Sequence, residues 1–295
     1  MLGIAFALGM ALCWATMGVV LRSLPAHLDA FLVTSLRALF GTLAIALLVV
    51  ATGGLEQYRL LTATKTLYLV GSILAGGVLG DTLYLLSLRL LGMTRCFPVV
   101  SSYPLFTVLY STLLLGERVS LSMLSGMLLV FVGIYIVARS RGNPASGASG
   151  ARSTKEVIRG VLMALGTAAL YGVESVLVSL GAQDVSSIVA NSVRVPVVLV
   201  VSLLIAVQRG QWQQVYHLDR RTLGLLVLAG SVGWAVGGSC WVAAIRLAGP
   251  SRAAIVGSTA PLFGVPLSMV FLHERPTRYT LVGTLLTVAG IIMVV

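Results

Sequence analysis

The sequence predicts an all-α integral membrane protein with ten transmembrane helices, arranged as two inverted five-helix repeats. Three observations carry this prediction. The chain of 295 residues is 58% hydrophobic and only 10% charged, apolar runs of spanning length recur along it, and its second half repeats its first. Soluble domains carry roughly 25% charged residues, so lipid is the natural solvent for most of this chain. Helix is the structure that we expect for each run, because a span in lipid must satisfy its own backbone hydrogen bonds.

Two sets of apolar runs are separated by a polar stretch. The first set lies at about 2–21, 30–52, 66–90, 94–115 and 121–138, and the second at about 160–180, 185–207, 222–245, 251–272 and 278–295. Each run is long enough for one crossing, which takes about 20 residues. Residues 139–157 are basic and rich in Gly, Ser and Ala, which is typical of a flexible linker. We therefore expect a first unit at 1–138, a linker at 139–157 and a second unit at 158–295.

An internal repeat relates the two units. A shift of 157 residues aligns 1–138 with 158–295 without a gap, and 38 of the 138 pairs are identical. The matches are densest where 89–137 meets 246–294, with 21 of 49 pairs identical. Because five is odd, the second copy must enter the membrane from the side opposite to the first. The repeats are thus predicted to be inverted about an axis in the membrane plane, as in many secondary transporters.

The repeated motifs also carry a family resemblance. SLRLLGMTR and SSYPLFTVLYSTLLLGERVS in the first half correspond to AIRLAGPSR and STAPLFGVPLSMVFLHERPT in the second. With the openings LGMALCWATMGVV and LGTAALYGVESVL, they resemble EamA-type proteins of the drug/metabolite transporter superfamily. The resemblance implies ten helices, a central cavity and movement of small metabolites, often outward, but no particular substrate. One departure is His273, which stands where the first copy has Gly116.

The function predicted from this pattern is secondary transport by alternating access. We expect export or exchange of a small metabolite, such as an amino acid or a related compound, with protons as a candidate coupling ion. No cofactor or metal is expected, since the chain has no GxxxxGK[ST] loop, HExxH or GxSxG motif. The alternative is an integral-membrane enzyme or a non-transporting scaffold that acts on lipid-linked substrates. An enzyme would need several carboxylates or histidines gathered near one interface.

The expected partners are the substrate, the lipid bilayer and protons. Nucleic acid is excluded because the basic residues behind the net charge of +11 are scattered singly along loops. One chain holds both repeats, so a monomer is sufficient. We expect a multi-pass protein of a prokaryotic cell membrane. Its orientation stays open: the family habit places both termini in the cytoplasm, whereas the basic linker favours the opposite arrangement by the positive-inside rule.

Four ionisable residues fall inside predicted spans: Arg37, Asp81, Glu174 and Arg194. Each costs roughly 2.5–3.5 kcal/mol at a helix centre, so they must pair with one another or face a wet cavity. Arg37 and Arg194 are repeat equivalents, which favours a counter-ion or anchoring role over substrate binding.

Glu174 and Asp81 each belong to one repeat alone, since their equivalents are Met17 and Gly238. A carboxylate held partly out of water can exchange a proton near neutral pH, which makes Glu174 the leading functional candidate, either for proton-coupled exchange or for recognition of a substrate ammonium group. The structural alternative is a salt bridge from Glu174 to Arg194 or Arg37. For Asp81, a cavity role and internal pairing with an arginine are equally open.

Aromatic and hydroxyl residues complete the candidate site. Rings at matched positions in the two halves could form a cavity wall, or they could simply pack between helices. Hydroxyls beside proline-kinked backbone often border transport sites, because proline frees a carbonyl group. The aromatic candidates are Trp14, Tyr171, Tyr84, Trp241 and Tyr103; the hydroxyl candidates are Ser102, Ser258 and Thr259; the predicted helix kinks are Pro104 and Pro261.

Glycines and the repeated Glu-Arg pair indicate packing. Gly76 with Gly80, and Gly233 with Gly237, have the GxxxG spacing that permits close helix approach. The pairs Gly126 with Gly133 and Gly283 with Gly290 are predicted to pack the fifth helix against the tenth. The pairs Glu117-Arg118 and Glu274-Arg275 read as local ion pairs at helix ends.

Overall fold

The computed structural model describes residues 1–25, 28–91, 96, 99–140, 154–260, 262–263, 267 and 278–294. All regular structure within these ranges is helical. We number the helices α1 to α10 in chain order. Their bounds are α1 Leu2–Arg22, α2 Ala30–Ala51, α3 Ala63–Leu91, α4 Tyr103–Leu115, α5 Leu121–Ser140, α6 Thr154–Gly181, α7 Ser187–Gln208, α8 Arg220–Ala248, α9 Pro250–Gly257 and α10 Arg278–Val294.

Five of these helices, α2, α3, α6, α7 and α8, are long and apolar enough to cross a membrane. Shorter apolar stretches lie in α1, α4, α5 and α10, and the described part of α9 has 8 residues. The count of ten spans therefore stays a prediction. Helices α5 and α6 also extend into both ends of the predicted linker, because a helix continues past the apolar run that defines its span; residues 141–153 lie outside the described part.

Equivalent side chains begin equivalent helices in the two repeats. The Asp29 carboxylate accepts from the backbone N–H of Phe31 at 2.9 Å at the start of α2, and Ser186 caps α7 in the same way. Thr62 and Asp219 cap α3 and α8. Short polar side chains satisfy backbone donors that the first helical turn leaves free. The repeat in the sequence is thus also a repeat in local structure.

Helices α3 and α8 each contain a π-helical segment at matched positions, Leu74–Gly80 and Gly230–Gly237. In a π segment each backbone hydrogen bond spans five residues, where an α-helix spans four, so the helix is locally wider. Such segments occur often at functional sites. The first segment divides α3 just before Asp81, which opens the following α-helical segment. The sequence analysis did not predict these segments.

Helix α1 runs antiparallel to α8, and α6 runs antiparallel to α3 in the same register. A Cβ atom on Gly3 would lie 2.8 Å from the Cβ of Ala248, near the opposite end of α8. Its equivalent Gly160 is equally close to Leu91, the equivalent of Ala248, at the end of α3. Each repeat therefore packs its first helix against the third helix of the other repeat, which is the relation that inverted repeats require.

Helices α5 and α10 also pack antiparallel, through their paired glycines. A Cβ on Gly126 would lie 2.6 Å from the carbonyl oxygen of Gly290, and one on Gly133 would lie 2.5 Å from that of Gly283. These two contacts are repeat equivalents of each other. The predicted packing of the fifth helix against the tenth through these glycines is confirmed.

Glu117 joins the two repeats at the end of α4. Its Oε2 accepts a hydrogen bond from the Ser251 hydroxyl at 2.6 Å, at the first turn of α9. The Ser251 hydroxyl also lies 2.6 Å from that of Ser111. A carboxylate is favourable at a helix N-terminus, where it complements the helix dipole. The predicted local ion pair with Arg118 is wrong, because the carboxylate is held by α9 instead; the second pair, Glu274-Arg275, lies outside the described residues.

Candidate functional site

Two glycines of the π segment in α3 bring that helix against α6. A Cβ on Gly80 would lie 2.9 Å from the Tyr171 ring, and one on Gly76 would collide with the Glu174 carboxylate. Only hydrogen at these positions lets the larger side chains of α6 lie over the α3 backbone. The predicted role of this glycine pair in close helix approach is confirmed, and it brings Glu174, Tyr171 and Asp81 together.

Glu174 forms an ion pair with Arg194 of α7. The Arg194 side chain is buried, with 3% of its surface exposed, and the Glu174 side chain is mostly buried, with 14% exposed. The Nε of Arg194 donates a second hydrogen bond, at 3.0 Å, to the hydroxyl of Ser72 in α3. A buried guanidinium needs such partners because its desolvation is expensive. Of the alternatives left open for Glu174, the structure has the salt bridge, and it selects Arg194 over Arg37.

Arg37 occupies the position equivalent to Arg194 but has different neighbours. Its Nη2 lies 3.0 Å from the sulfur of Met17, the residue equivalent to Glu174. Its guanidinium carbon lies 5.9 Å from the centroid of the Trp234 ring. Among the buried side-chain nitrogen and oxygen atoms of the described residues, the Nε of Arg37 and the Nε1 of Trp234 are the two without a hydrogen-bond partner.

Asp81 is bound to an aromatic residue and not to an arginine. Its Oδ1 accepts a hydrogen bond from the Tyr171 hydroxyl at 2.5 Å. Arg37 attracts it electrostatically, but the ion pairs within the described residues are those of Glu174 with Arg194 and of Lys65 with Asp184. Asp81 is therefore the membrane-embedded acid whose charge is not matched by a direct salt bridge.

A cavity of about 230 Å³ lies beside Tyr171, the hydrogen-bond partner of Asp81. Equivalent residues of the two repeats line it. Its described lining contains four pairs of repeat equivalents and Tyr84. The pairs are Trp14 with Tyr171, Val100 with Gly257, Ser101 with Ser258, and Tyr103 with Ala260. Because both members of each pair line one space, each repeat contributes an equivalent part of the wall.

The rings around the cavity are fixed by their contacts. Tyr103 and Tyr171 meet edge to face, with centroids 6.0 Å apart. The Tyr103 hydroxyl donates to the carbonyl oxygen of Ala254 at 2.9 Å. Trp241, the equivalent of Tyr84, is buried behind the wall and packs against Trp14 with centroids 6.2 Å apart. The interpretation of matched rings as a cavity wall thus fits Trp14, Tyr84, Tyr103 and Tyr171, whereas Trp241 is a packing residue.

The hydroxyl and proline candidates divide in the same way. The hydroxyls of Ser102, Ser258 and Thr259 all donate to a backbone carbonyl three residues earlier. Ser258 is the one of the three among the described residues that line the cavity. Pro104 is no kink inside a helix, because α4 begins at Tyr103 and the proline lies in its first turn, where an N–H is not needed. Pro261 lies outside the described residues.

The sequence analysis missed five contributors. Val100, Ser101, Gly257 and Ala260 line the cavity, and Ser72 holds Arg194. Ser101 is the identical equivalent of Ser258, so the repeat alignment carried a signal for it. Ser72 carried none, because its equivalent is Ala229 and serine is common in membrane helices.

Comparison with known proteins agrees with this architecture. The EamA-like transporter family matches the chain at residues 1–139 and 158–295. An uncharacterized transporter of Archaeoglobus fulgidus is 26% identical over 293 residues, covering 99% of this chain and 98% of that one. The uncharacterized transporter YvbV of Bacillus subtilis is 26% identical over 288 residues, covering 97% and 88%.

A solved structure has the same fold, with a TM-score of 0.75 at 18% identity over 99% of this chain and 96% of that one. The family match extends over both halves, and several described helices can cross a membrane. The chain is accordingly a multi-pass membrane protein that belongs to the EamA-like transporter family of the drug/metabolite transporter superfamily.

Proposed function

We propose that this chain is a secondary transporter that exports or exchanges a small metabolite, an amino acid or a related compound, by alternating access. The observation that carries the proposal is the central cavity, whose wall is built from equivalent residues of both repeats. The proposal includes ten spans in two inverted five-helix repeats and a place in a prokaryotic cell membrane. One chain suffices, because it supplies both halves of the site.

The packing supports movement of this kind. Helix α1 contacts α8 and α9, whereas α6 contacts α3 and α4, so each first helix is held by the opposite repeat. Two states related by exchanging the repeats have similar packing, and a small rotation can therefore convert one into the other. In the proposed cycle, this rotation opens the cavity first to one side of the membrane and then to the other.

Proton coupling is assigned to Asp81 in this proposal, in preference to Glu174. The Glu174 charge is neutralised by Arg194, and protonation would leave a buried guanidinium without its partner. Asp81 has a neutral hydroxyl as its hydrogen-bond partner and lies behind the cavity wall, so it can lose or gain a proton at lower cost. Glu174 then becomes a structural residue that orders α6, α7 and α3.

Counterflow in proteoliposomes tests the transport function. Purified protein is reconstituted, loaded with one unlabelled compound at a time from a panel of amino acids, amines and other small metabolites, and exposed to the labelled compound outside. Transient accumulation of at least one compound, absent from protein-free vesicles, is the expected result. An enzyme or a scaffold would produce none, and the proposal would then be wrong.

An imposed pH gradient tests the coupling residue. We expect Asp81→Asn to abolish gradient-driven accumulation while counterflow at saturating substrate survives, because exchange needs no net proton movement. Glu56→Gln is the matched control, since this exposed acid lies in the α2–α3 connection away from the cavity. If Asp81→Asn accumulates substrate as well as the control does, Asp81 is not the coupling site.

A further inference from the structure

The cavity is surrounded by aromatic rings from four helices. Trp14 comes from α1, Tyr84 from α3, Tyr103 from α4 and Tyr171 from α6. The face of an aromatic ring is electron-rich and attracts a cation that lies within about 6 Å of its centroid. An amide or a sugar would instead call for several donors and acceptors, and the described wall offers the hydroxyls of Ser101 and Ser258 beside the phenols.

The Tyr171 ring is made more electron-rich by its own hydrogen bond. Its hydroxyl donates to the Asp81 carboxylate at 2.5 Å, and a donor that binds an anion polarises toward it. The same carboxylate adds a negative charge just behind the wall. Because dissolved ions screen a buried charge only weakly, the electric field of the Asp81 carboxylate extends into the cavity.

The two membrane-embedded arginines are engaged by groups outside the described cavity lining, Arg194 by Glu174 and Arg37 by an electrostatic attraction to Asp81. The Arg194 guanidinium is occupied by Glu174 and by the Ser72 hydroxyl. Arg37 is buried against Met17 and Trp234. None of the described residues that line the cavity is a lysine, an arginine or a histidine. Among the described lining residues a substrate carboxylate would therefore meet no cationic side chain, whereas an ammonium group would meet ring faces and the field of Asp81.

From these observations we infer that the cavity binds a small organic monocation, with an ammonium head enclosed by Trp14, Tyr84, Tyr103 and Tyr171 and no free carboxylate. The inference rests on the proposed transport function and specifies its small metabolite as an amine or a quaternary ammonium compound, in place of an amino acid. The cavity of about 230 Å³ lies below the roughly 300–1,000 Å³ of sites for drug-sized ligands. A head group with a short apolar or hydroxylated tail fits this size.

Three probes of nearly equal shape separate charge from size. Choline carries a permanent positive charge, 3,3-dimethylbutan-1-ol is its neutral carbon isostere, and glycine betaine adds a carboxylate to the same head group. Each is titrated into detergent-purified protein by calorimetry. We expect choline to bind at least about tenfold more tightly than either of the others, because ring faces attract a desolvated cation. The neutral isostere has no charge to attract, and the carboxylate of glycine betaine would have to be desolvated as well.

Variants of the wall locate the binding. Trp14→Leu removes one ring and Tyr171→Phe keeps the ring but removes the hydrogen bond to Asp81, so both should weaken choline binding several-fold. Tyr135→Leu is the matched control, since this tyrosine is 52% exposed on α5, away from the cavity lining. Thermal unfolding of each variant in the same detergent separates a loss of binding from a loss of fold.

The outcomes also separate this inference from the transport proposal. Choline preference that falls in both wall variants and persists in Tyr135→Leu supports the cation site. Equal binding of choline and its neutral isostere, or a preference that Trp14→Leu and Tyr171→Phe leave intact, overturns it. Counterflow of zwitterionic amino acids without counterflow of choline leaves the transport function in place and overturns the cation site, whereas counterflow of no compound overturns the transport function itself.

Discussion

Arg194 and Glu174 form a buried ion pair at the positions where Arg37 and Met17 meet in the first repeat. The two contacts join equivalent residues on equivalent helices, so the geometry of the repeat has been kept while its chemistry has diverged. In the second repeat the arginine is neutralised locally. In the first, Arg37 keeps its charge and attracts Asp81, the acid beside the cavity.

The ion pair predicts a large loss of stability when its acid is removed. Glu174→Gln leaves Arg194 buried without a counter-ion, and breaking a buried pair in this way costs roughly 3–5 kcal/mol. Equilibrium unfolding in mixed micelles, followed by tryptophan fluorescence, measures the change. Arg194→Gln combined with Glu174→Gln should recover part of the loss, and purely additive losses would contradict the pairing.

Repeat symmetry predicts opposite effects for two substitutions near the arginines. Ser72→Ala removes the acceptor of Arg194 Nε and leaves a buried donor unpaired, at a cost of about 1–3 kcal/mol. Ala229→Ser places a hydroxyl at the equivalent position, where Arg37 Nε has no partner. A hydrogen bond between membrane helices contributes about 0.6 kcal/mol, so this variant should gain a fraction of a kcal/mol. The same unfolding measurement checks both; a destabilised Ala229→Ser would contradict the predicted equivalence.

The tight contact of α3 with α6 predicts that Gly76 does not tolerate a methyl group. A Cβ there would collide with the Glu174 carboxylate, and overpacking of this kind costs typically about 1–3 kcal/mol. Gly18→Ala is the control, because a Cβ on Gly18 meets no atom within 4 Å. We expect a lower unfolding free energy for Gly76→Ala and an unchanged or slightly higher one for Gly18→Ala. Equal effects would mean that α3 and α6 do not approach so closely.

The contact of Glu117 with Ser251 predicts coupling between the two repeats. Hydrogen bonds to charged groups contribute about 1.5–3 kcal/mol, so Glu117→Ala and Ser251→Ala should each destabilise the protein, and the double variant should lose less than the sum of the two. The unfolding free energies of the four proteins give the coupling energy. Additive losses would show that the carboxylate does not hold α9.

Much of the fold could be predicted from the sequence because the second half of the chain repeats the first. The shift of 157 residues identified the equivalent caps, glycines and arginines without any structure. The π segments of α3 and α8 could not be predicted in this way, because helical hydrophobic periodicity does not distinguish a wider turn from a regular one. The residue at which each helix ends beyond its apolar run could not be predicted either.

The site was only partly predictable, because its details depend on which surfaces meet. Sequence left Glu174 between two arginines, and the contact of Met17 with Arg37 shows why Arg194 is its partner. The sequence predicts a site role for Ser102 beside a kink at Pro104, whereas α4 begins at Tyr103 and Ser101 lines the cavity instead. The hydrogen bond from Tyr171 to Asp81 joins residues 90 positions apart and had no signal in the sequence.

Access to the central cavity from both sides of the membrane is the claim on which the account depends. Ser258→Cys and its equivalent Ser101→Cys, each made after Cys13, Cys96 and Cys240 are replaced by alanine, place one thiol in the cavity wall. A membrane-impermeant thiol reagent is applied to sealed vesicles of either orientation. The account predicts that each cysteine is labelled from both faces, since the cavity opens alternately to each; labelling of both cysteines from one face alone would contradict it.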